Sequence, residues 1–230
     1  MPPKTIAPAF PGFVPDTLKF LKALGFHQTR EWFEENRALY VSAVKEPLEA
    51  YVAALSVEFG ARKLPLKGEP KRAIFRLNRD VRFSKNKQPY KTNAGCVLTR
   101  TGTKGSPGLL YTHISPEGCF LAAGFYHPEP PQLLAMRKAI VAKRTAWLGI
   151  EGKLQDAGLE LSTNEALKRN PQGFQEVDDK LSPALRSRNF IVRMPIADKI
   201  ILDGPKLVAT AADFAKTTLP LLKFGWAAMD

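Results

Sequence analysis

Redox-active and metal-binding side chains are scarce in this chain. Two cysteines, Cys96 and Cys119, and three histidines, His27, His113 and His127, are all that its 230 residues hold. Two thiols build no disulfide framework, and neither set is spaced like metal ligands. No metal and no cofactor is therefore expected, and a reducing cytoplasm is the expected compartment. No apolar run approaches the roughly 18 residues that cross a bilayer, so a membrane-spanning helix is excluded. Met1–Phe10 carries three prolines and no apolar segment, unlike a secretory signal. Gly102, Gly105 and Gly108 surround Lys104 without the order of a phosphate loop, and read as a flexible turn. Internal repeats, low-complexity stretches, zinc-finger spacings and ribonucleoprotein aromatic motifs are also missing.

What is present is an ordinary globular composition, 44% hydrophobic and 24% charged. The chain is long enough to bury a core without staples. Residues 1–12, with Pro2, Pro3, Pro8 and Pro11, read as an extended lead-in, and 13–230 as a single α+β domain. Asp16 can cap a helix carrying Leu18, Leu21 and Leu24. Thr29 can cap a second, with Glu31 in its first turn. Pro47 kinks that helix or opens another that ends at Gly60. After Pro65 apolar and charged residues alternate. Residues 73–79, 81–83 and 94–99 read as strands, and 109–114 and 119–126 as a hairpin about Ser115-Pro116-Glu117-Gly118. A helix over 132–148 follows, then a short helix over 162–169 opened by Ser162 and Glu165. A late strand over 190–194 and a helix from Pro205, bent at Pro220, complete the chain. The expected architecture is a mostly antiparallel sheet of about five strands between N-terminal and C-terminal helices.

The formal charge is +12, and it is concentrated. Arg62 to Lys104 holds thirteen basic residues against Glu69 and Asp80, a net of +11, while the rest of the chain nets +1. Such a segment attracts anions. Within it, Arg76, Arg79 and Arg82 offer guanidinium forks for phosphate or carboxylate, and Lys87 and Lys91 add point charges. Ser84 supplies a hydroxyl and Tyr90 an aromatic face with a phenol. Together these seven form the expected anion-binding set. Asp80 among the arginines reads as an ion-pair hub.

The run Arg76-x-x-Arg79-Asp80-x-Arg82-Phe83-Ser84-x-x-Lys87-x-Pro89-Tyr90-Lys91 resembles the signature of a bacterial and fungal family catalogued as domain of unknown function 2461. Phe20-Leu21, Arg30-Glu31-Trp32-Phe33, Tyr111, Gly124-x-x-x-Pro128, Arg137 and Pro171-x-Gly173-Phe174 resemble it too, so the likeness covers nearly the whole chain. It departs at Gly25–Gln28, where an Asn-rich linker would be expected. The resemblance implies one soluble domain and no established activity.

Three functions fit these residues. The first is binding of a phosphate-bearing small molecule or nucleotide at the 76–91 cluster. The second is nucleic-acid backbone binding through the 62–104 basic segment. The third is catalysis on a phosphorylated or carboxylated substrate, with the arginines stabilising charge and Glu31, Asp80 or His113 moving a proton. Against all three stands a structural reading, in which the cluster is an ion-pair network. Five cations facing one local acid argue against it, because buried charge needs partners. No membrane partner is expected.

Overall fold

β2 (Leu109–Ile114) alternates between half-buried and buried residues along its whole length, which gives the sheet two unlike faces. The structure, a computed structural model, describes residues 10–82 and 87–230. The sheet runs β1 (Ala94–Thr99), β2, β3 (Cys119–Phe125) and β4 (Phe190–Ile196), each neighbour antiparallel. One face presents Cys96, Leu98, Leu110, Ile114, Leu121, Ala123, Phe190 and Val192, all buried in the core. Both thiols lie on that side, and burial pushes Cys96 up to about 12.

The first expected strand does not form. Pro70–Ala73 is a short helix instead. In residues 74–82 the chain bends at Leu77 and Arg82 and pairs through single bridges, Ile74 to Cys96 and Asn78 to Tyr90. The sheet therefore has four strands.

Before the sheet come α1 (Pro15–Phe26), α2 (Arg30–Glu35), α3 (Arg37–Tyr40) and α4 (Glu46–Ala61); the Pro70–Ala73 helix is α5. Thr29 caps α2 as expected, accepting from the Trp32 N–H at 3.3 Å. Asp16 does not cap α1. Pro15 suits the first helical position, so the helix starts ahead of Asp16, which pairs with Lys19 at 3.0 Å. Ahead of Pro47 the helix passes through a π turn, Val41–Lys45, and continues as α4. Pro47 lacks the N–H that a regular ladder would use there. Phe10 is buried against Phe13 and Tyr51.

Between β3 and β4 come α6 (Pro130–Ala142), α7 (Arg144–Asp156) and α8 (Ser182–Arg186), and after β4 come α9 (Asp198–Ile201) and α10 (Gly204–Met229). The helix expected over 132–148 breaks at Lys143, which leaves helical geometry. No helix forms over 162–169. The Ser162 hydroxyl accepts from the Asn164 N–H in a local turn, and Glu165 sits at φ 63. α10 begins with Asp203 accepting from the Lys206 N–H at 3.0 Å and runs through Pro220. α4 and α10 pack together, and α10 lies against β3 on the core face. Among the described residues no helix is long and apolar enough to cross a membrane.

Arg137 of α6 is buried with no acid beside it. Its Nε donates to the Leu185 carbonyl at 2.8 Å and its Nη2 to that of Ser187 at 3.2 Å. It thus ties off the end of α8, and burial holds its pKa below the usual value. Arg137→Leu keeps the bulk and removes both donors. We expect a loss of about 2 kcal/mol, seen as a Tm lower by roughly 4–8 °C. An unchanged Tm would mean that the two carbonyls find other partners.

Candidate functional site

The second face of the sheet is where the unused chemistry gathers. In register, Tyr111 stands beside Val97 and Ala122, His113 beside Gly95 and Phe120, and Ala122 beside Arg193. These side chains line an open hollow of about 400 Å³. Its floor is aromatic. His113 stacks on Phe120 with centroids 4.4 Å apart, and the Arg193 guanidinium lies over the same Phe120 ring at 5.0 Å. The Tyr111 phenol and His113 Nδ1 are 3.1 Å apart and hydrogen-bonded. Gly95 makes room for this pair, since a Cβ there would stand 2.5 Å from the Tyr111 oxygen.

Phe75 closes the β1 side. Its N–H donates to the Gly95 carbonyl at 2.9 Å, which fixes the extended segment along the sheet edge. Its ring carries two ammonium groups, Lys104 Nζ at 4.8 Å and Lys91 Nζ at 5.7 Å. Lys104 also donates to the Ile74 carbonyl. Phe75 and Lys91 are shared with a second hollow of about 450 Å³, which adds Lys45, Lys71, Arg76 and Lys104. Among the described residues that line the two hollows there is no carboxylate.

The electrostatics follow from this. Burial, then the charges of Arg79 and Arg76, lowers the pKa of Lys91; burial, then Lys91 and Arg76, lowers that of Lys104. Burial pushes the Tyr111 phenol up to about 12. His113 is held below its usual value by burial first and by Arg193 second. At neutral pH the site therefore holds a neutral imidazole, a protonated phenol and several crowded cations. An imidazole in that state can accept a proton.

The expected anion-binding set is divided. Arg76 and Lys91 reach this surface, and His113 joins them. Arg79 does not: its Nε donates to the Tyr90 carbonyl at 3.0 Å, and its N–H to that of Pro89 at 2.8 Å. It clamps the 77–91 arch and borders a different depression beside Lys22 and Gly25. Arg82 holds Asp80 in a fork at 2.6 and 2.9 Å, in solvent. Those bonds, with the charge of Arg76, keep the Asp80 carboxyl below its ordinary range. Lys87 donates to the Val81 carbonyl at 3.0 Å. Tyr90 offers no face to a ligand, because its ring is buried and stacked on Phe33 at 4.6 Å. Glu31 is exposed in the first turn of α2 and lines neither hollow. Ser84 lies outside the described residues.

Arg193, Phe120 and Tyr126 were missed. The signal for Arg193 was present: it is the one charged residue in an apolar strand. The period-two spacing of Tyr111 and His113 was another.

Fold and site together define an α+β protein with adjoining basic and aromatic hollows, lined by no acid among the described residues, on the second face and edge of its sheet. The chain belongs to the family described as conserved hypothetical protein (DUF2461), whose model matches residues 16–224. No curated protein and no solved structure matches it.

His113 gives the site a pH signature. The ring takes up a proton near 6.5 when unfolded and at lower pH when folded. Its contribution to stability is complete above about 6.5 and is lost as pH falls through the folded value. His113→Asn should therefore flatten the dependence of Tm on pH between about 5 and 7 relative to the parent chain. Parallel slopes for the two proteins would show that His113 titrates as it does in water.

Proposed function

We propose that this chain binds a phosphate-bearing small molecule of the nucleotide type on the second face of its sheet. One observation carries the reading: Phe75 and Lys91 form a common wall between a cation-lined hollow and an aromatic-floored one. A phosphate suits the first, where Arg76, Lys91 and Lys104 gather and none of the described residues lining the hollow is a carboxylate. A planar ring suits the second, whose lining includes the rings of Tyr111, Phe120 and Phe75. Stacking on such side chains contributes roughly 1–3 kcal/mol per base, and a hollow of this volume is of small-molecule size. An anion would also relieve the repulsion that adds to burial in holding the pKa values of Lys91 and Lys104 down.

Calorimetric titration with adenosine 5′-monophosphate, adenosine and inorganic phosphate tests this. The nucleotide should bind more tightly than either part alone. Lys91→Met and Arg76→Gln should each weaken it about tenfold, equivalent to roughly 1.4 kcal/mol, with no change in Tm without ligand. Nucleic-acid backbone binding would use the same cations but respond differently to salt. Duplex DNA held through about six phosphates gives a log–log slope near −5. Binding to duplex DNA with that slope, and none to the nucleotide, would replace the proposal.

A further inference from the structure

The cation-lined hollow holds more positive charge than one phosphate balances. Lys45, Lys71, Arg76, Lys91 and Lys104 all line it. They come from separate parts of the chain. Lys45 ends the π turn ahead of α4, Lys71 lies in α5, and Arg76 follows Phe75. Lys91 follows the buried Tyr90, and Lys104 sits in the link between β1 and β2. The fold gathers them, so they are not the charged face of one helix. Among the described residues none of the five forms an ion pair. Asp80, whose carboxyl feels the charge of Arg76, is forked to Arg82 and does not line the hollow. Beyond Lys104 the next hollow contains the carboxylate of Glu69, so the acid-free lining ends there.

Gathering like charges costs folding stability through self-repulsion. A ligand that offsets this must carry comparable negative charge. A fully ionised phosphate monoester carries about −2, which leaves most of the charge of five cations unbalanced. A 5′-triphosphate carries about −4 by the same chemistry and comes close to matching them. The space agrees. The cation-lined hollow, of about 450 Å³, is no smaller than its aromatic-floored neighbour of about 400 Å³. Tyr40 in the same lining adds a phenol. Lys91 belongs to both hollows, whereas Lys45 and Lys71 line only the cation-lined one. That gives a phosphate chain a direction, away from the aromatic floor.

We infer that the nucleotide taken by this chain is a nucleoside 5′-triphosphate, with its α-phosphate near Lys91 at the shared wall and its outer phosphates at Lys45 and Lys71. This deepens the nucleotide reading and rests on it.

Calorimetric titration in buffer free of divalent metal, with adenosine 5′-monophosphate, adenosine 5′-triphosphate and inorganic tripolyphosphate, separates the two claims. The triphosphate should bind at least about tenfold more tightly than the monophosphate, and more tightly than tripolyphosphate. The double variant Lys45→Met, Lys71→Met removes two exposed charges. It should reduce the triphosphate's advantage to about threefold or less and leave monophosphate binding and Tm as they were. The control double variant Lys22→Met, Lys199→Met removes the same charge from exposed positions that line neither hollow, and should leave the advantage intact. Equal affinity for the monophosphate and the triphosphate overturns this inference and leaves the nucleotide reading standing. So does an advantage that survives the first variant, or one that the control reduces equally. Tripolyphosphate that binds as tightly as the nucleotide overturns both, in favour of a site for polyphosphate alone. Failure of all three ligands to bind also overturns both.

Discussion

The ring of Phe125 on β3 occupies space that a Cβ on Gly225 would need, and this contact brings α10 directly onto the sheet. The far end of α10 is pinned as well. The Trp226 indole N–H donates to the Pro107 carbonyl at 2.9 Å, and Arg100 holds Asp230 through two hydrogen bonds of 2.6 Å. α10 and α4 together bury one face of the sheet. Because side chains alternate along a strand, that choice also determines what the other face displays. Tyr111, His113 and Phe120, half-buried, and the exposed Arg193 are left on the other side. An antiparallel sheet tolerates one solvated face, and such a face is ordinarily polar. Here aromatic rings group on it with cations at the margin.

The basic segment divides its labour by hydrogen bonding. Arg79 is spent on the Tyr90 and Pro89 carbonyls, and Gln28 joins the same arch, accepting from the Tyr90 N–H at 3.0 Å while donating to the Leu24 carbonyl at 2.6 Å. Arg82 is paired with Asp80. These contacts hold residues 89–90 in place and so position Lys91, the residue after the buried Tyr90. Lys91, Arg76 and Lys104 then line one hollow in which no described residue is a carboxylate, and their mutual repulsion adds to burial in lowering the pKa values of Lys91 and Lys104.

Much of the fold was legible in the chain, and the reason is local. β1, β2 and the start of β3 fall where apolar alternation and the Ser115–Gly118 turn place them. Thr29 caps α2, and α10 begins at the Asp203–Pro205 junction. Failures occurred where pattern and pairing part company. Residues 73–79 alternate like a strand, yet they form only single bridges because the chain leaves β1 to build the Asn78–Tyr90 arch. Ser162 and Glu165 have the spacing of a capping box, but the Ser162 hydroxyl is used by Asn164 in a turn. The site was half legible for a related reason. Local charge revealed Arg76 and Lys91, and alternation could reveal that Tyr111 and His113 share a face. That this is not the core face depends on where α10 packs, and Arg193 reaches it from a strand far along the chain.

Protonation links the two halves of the site. His113 stays neutral because the hollow is partly buried and Arg193 is near. A bound phosphate reverses the second of these effects, since negative charge beside an imidazole favours its protonated form. The cations act on the ligand in the opposite sense. A phosphate monoester loses its second proton near pH 6, and Lys91, Arg76 and Lys104 favour the dianion, which lowers that value further. Binding therefore moves the two pKa values apart, the ligand's down and the imidazole's up. In the proposed reading the charge state of a ligand held by Lys91, Arg76 and Lys104 and that of His113 in the neighbouring hollow would therefore be coupled.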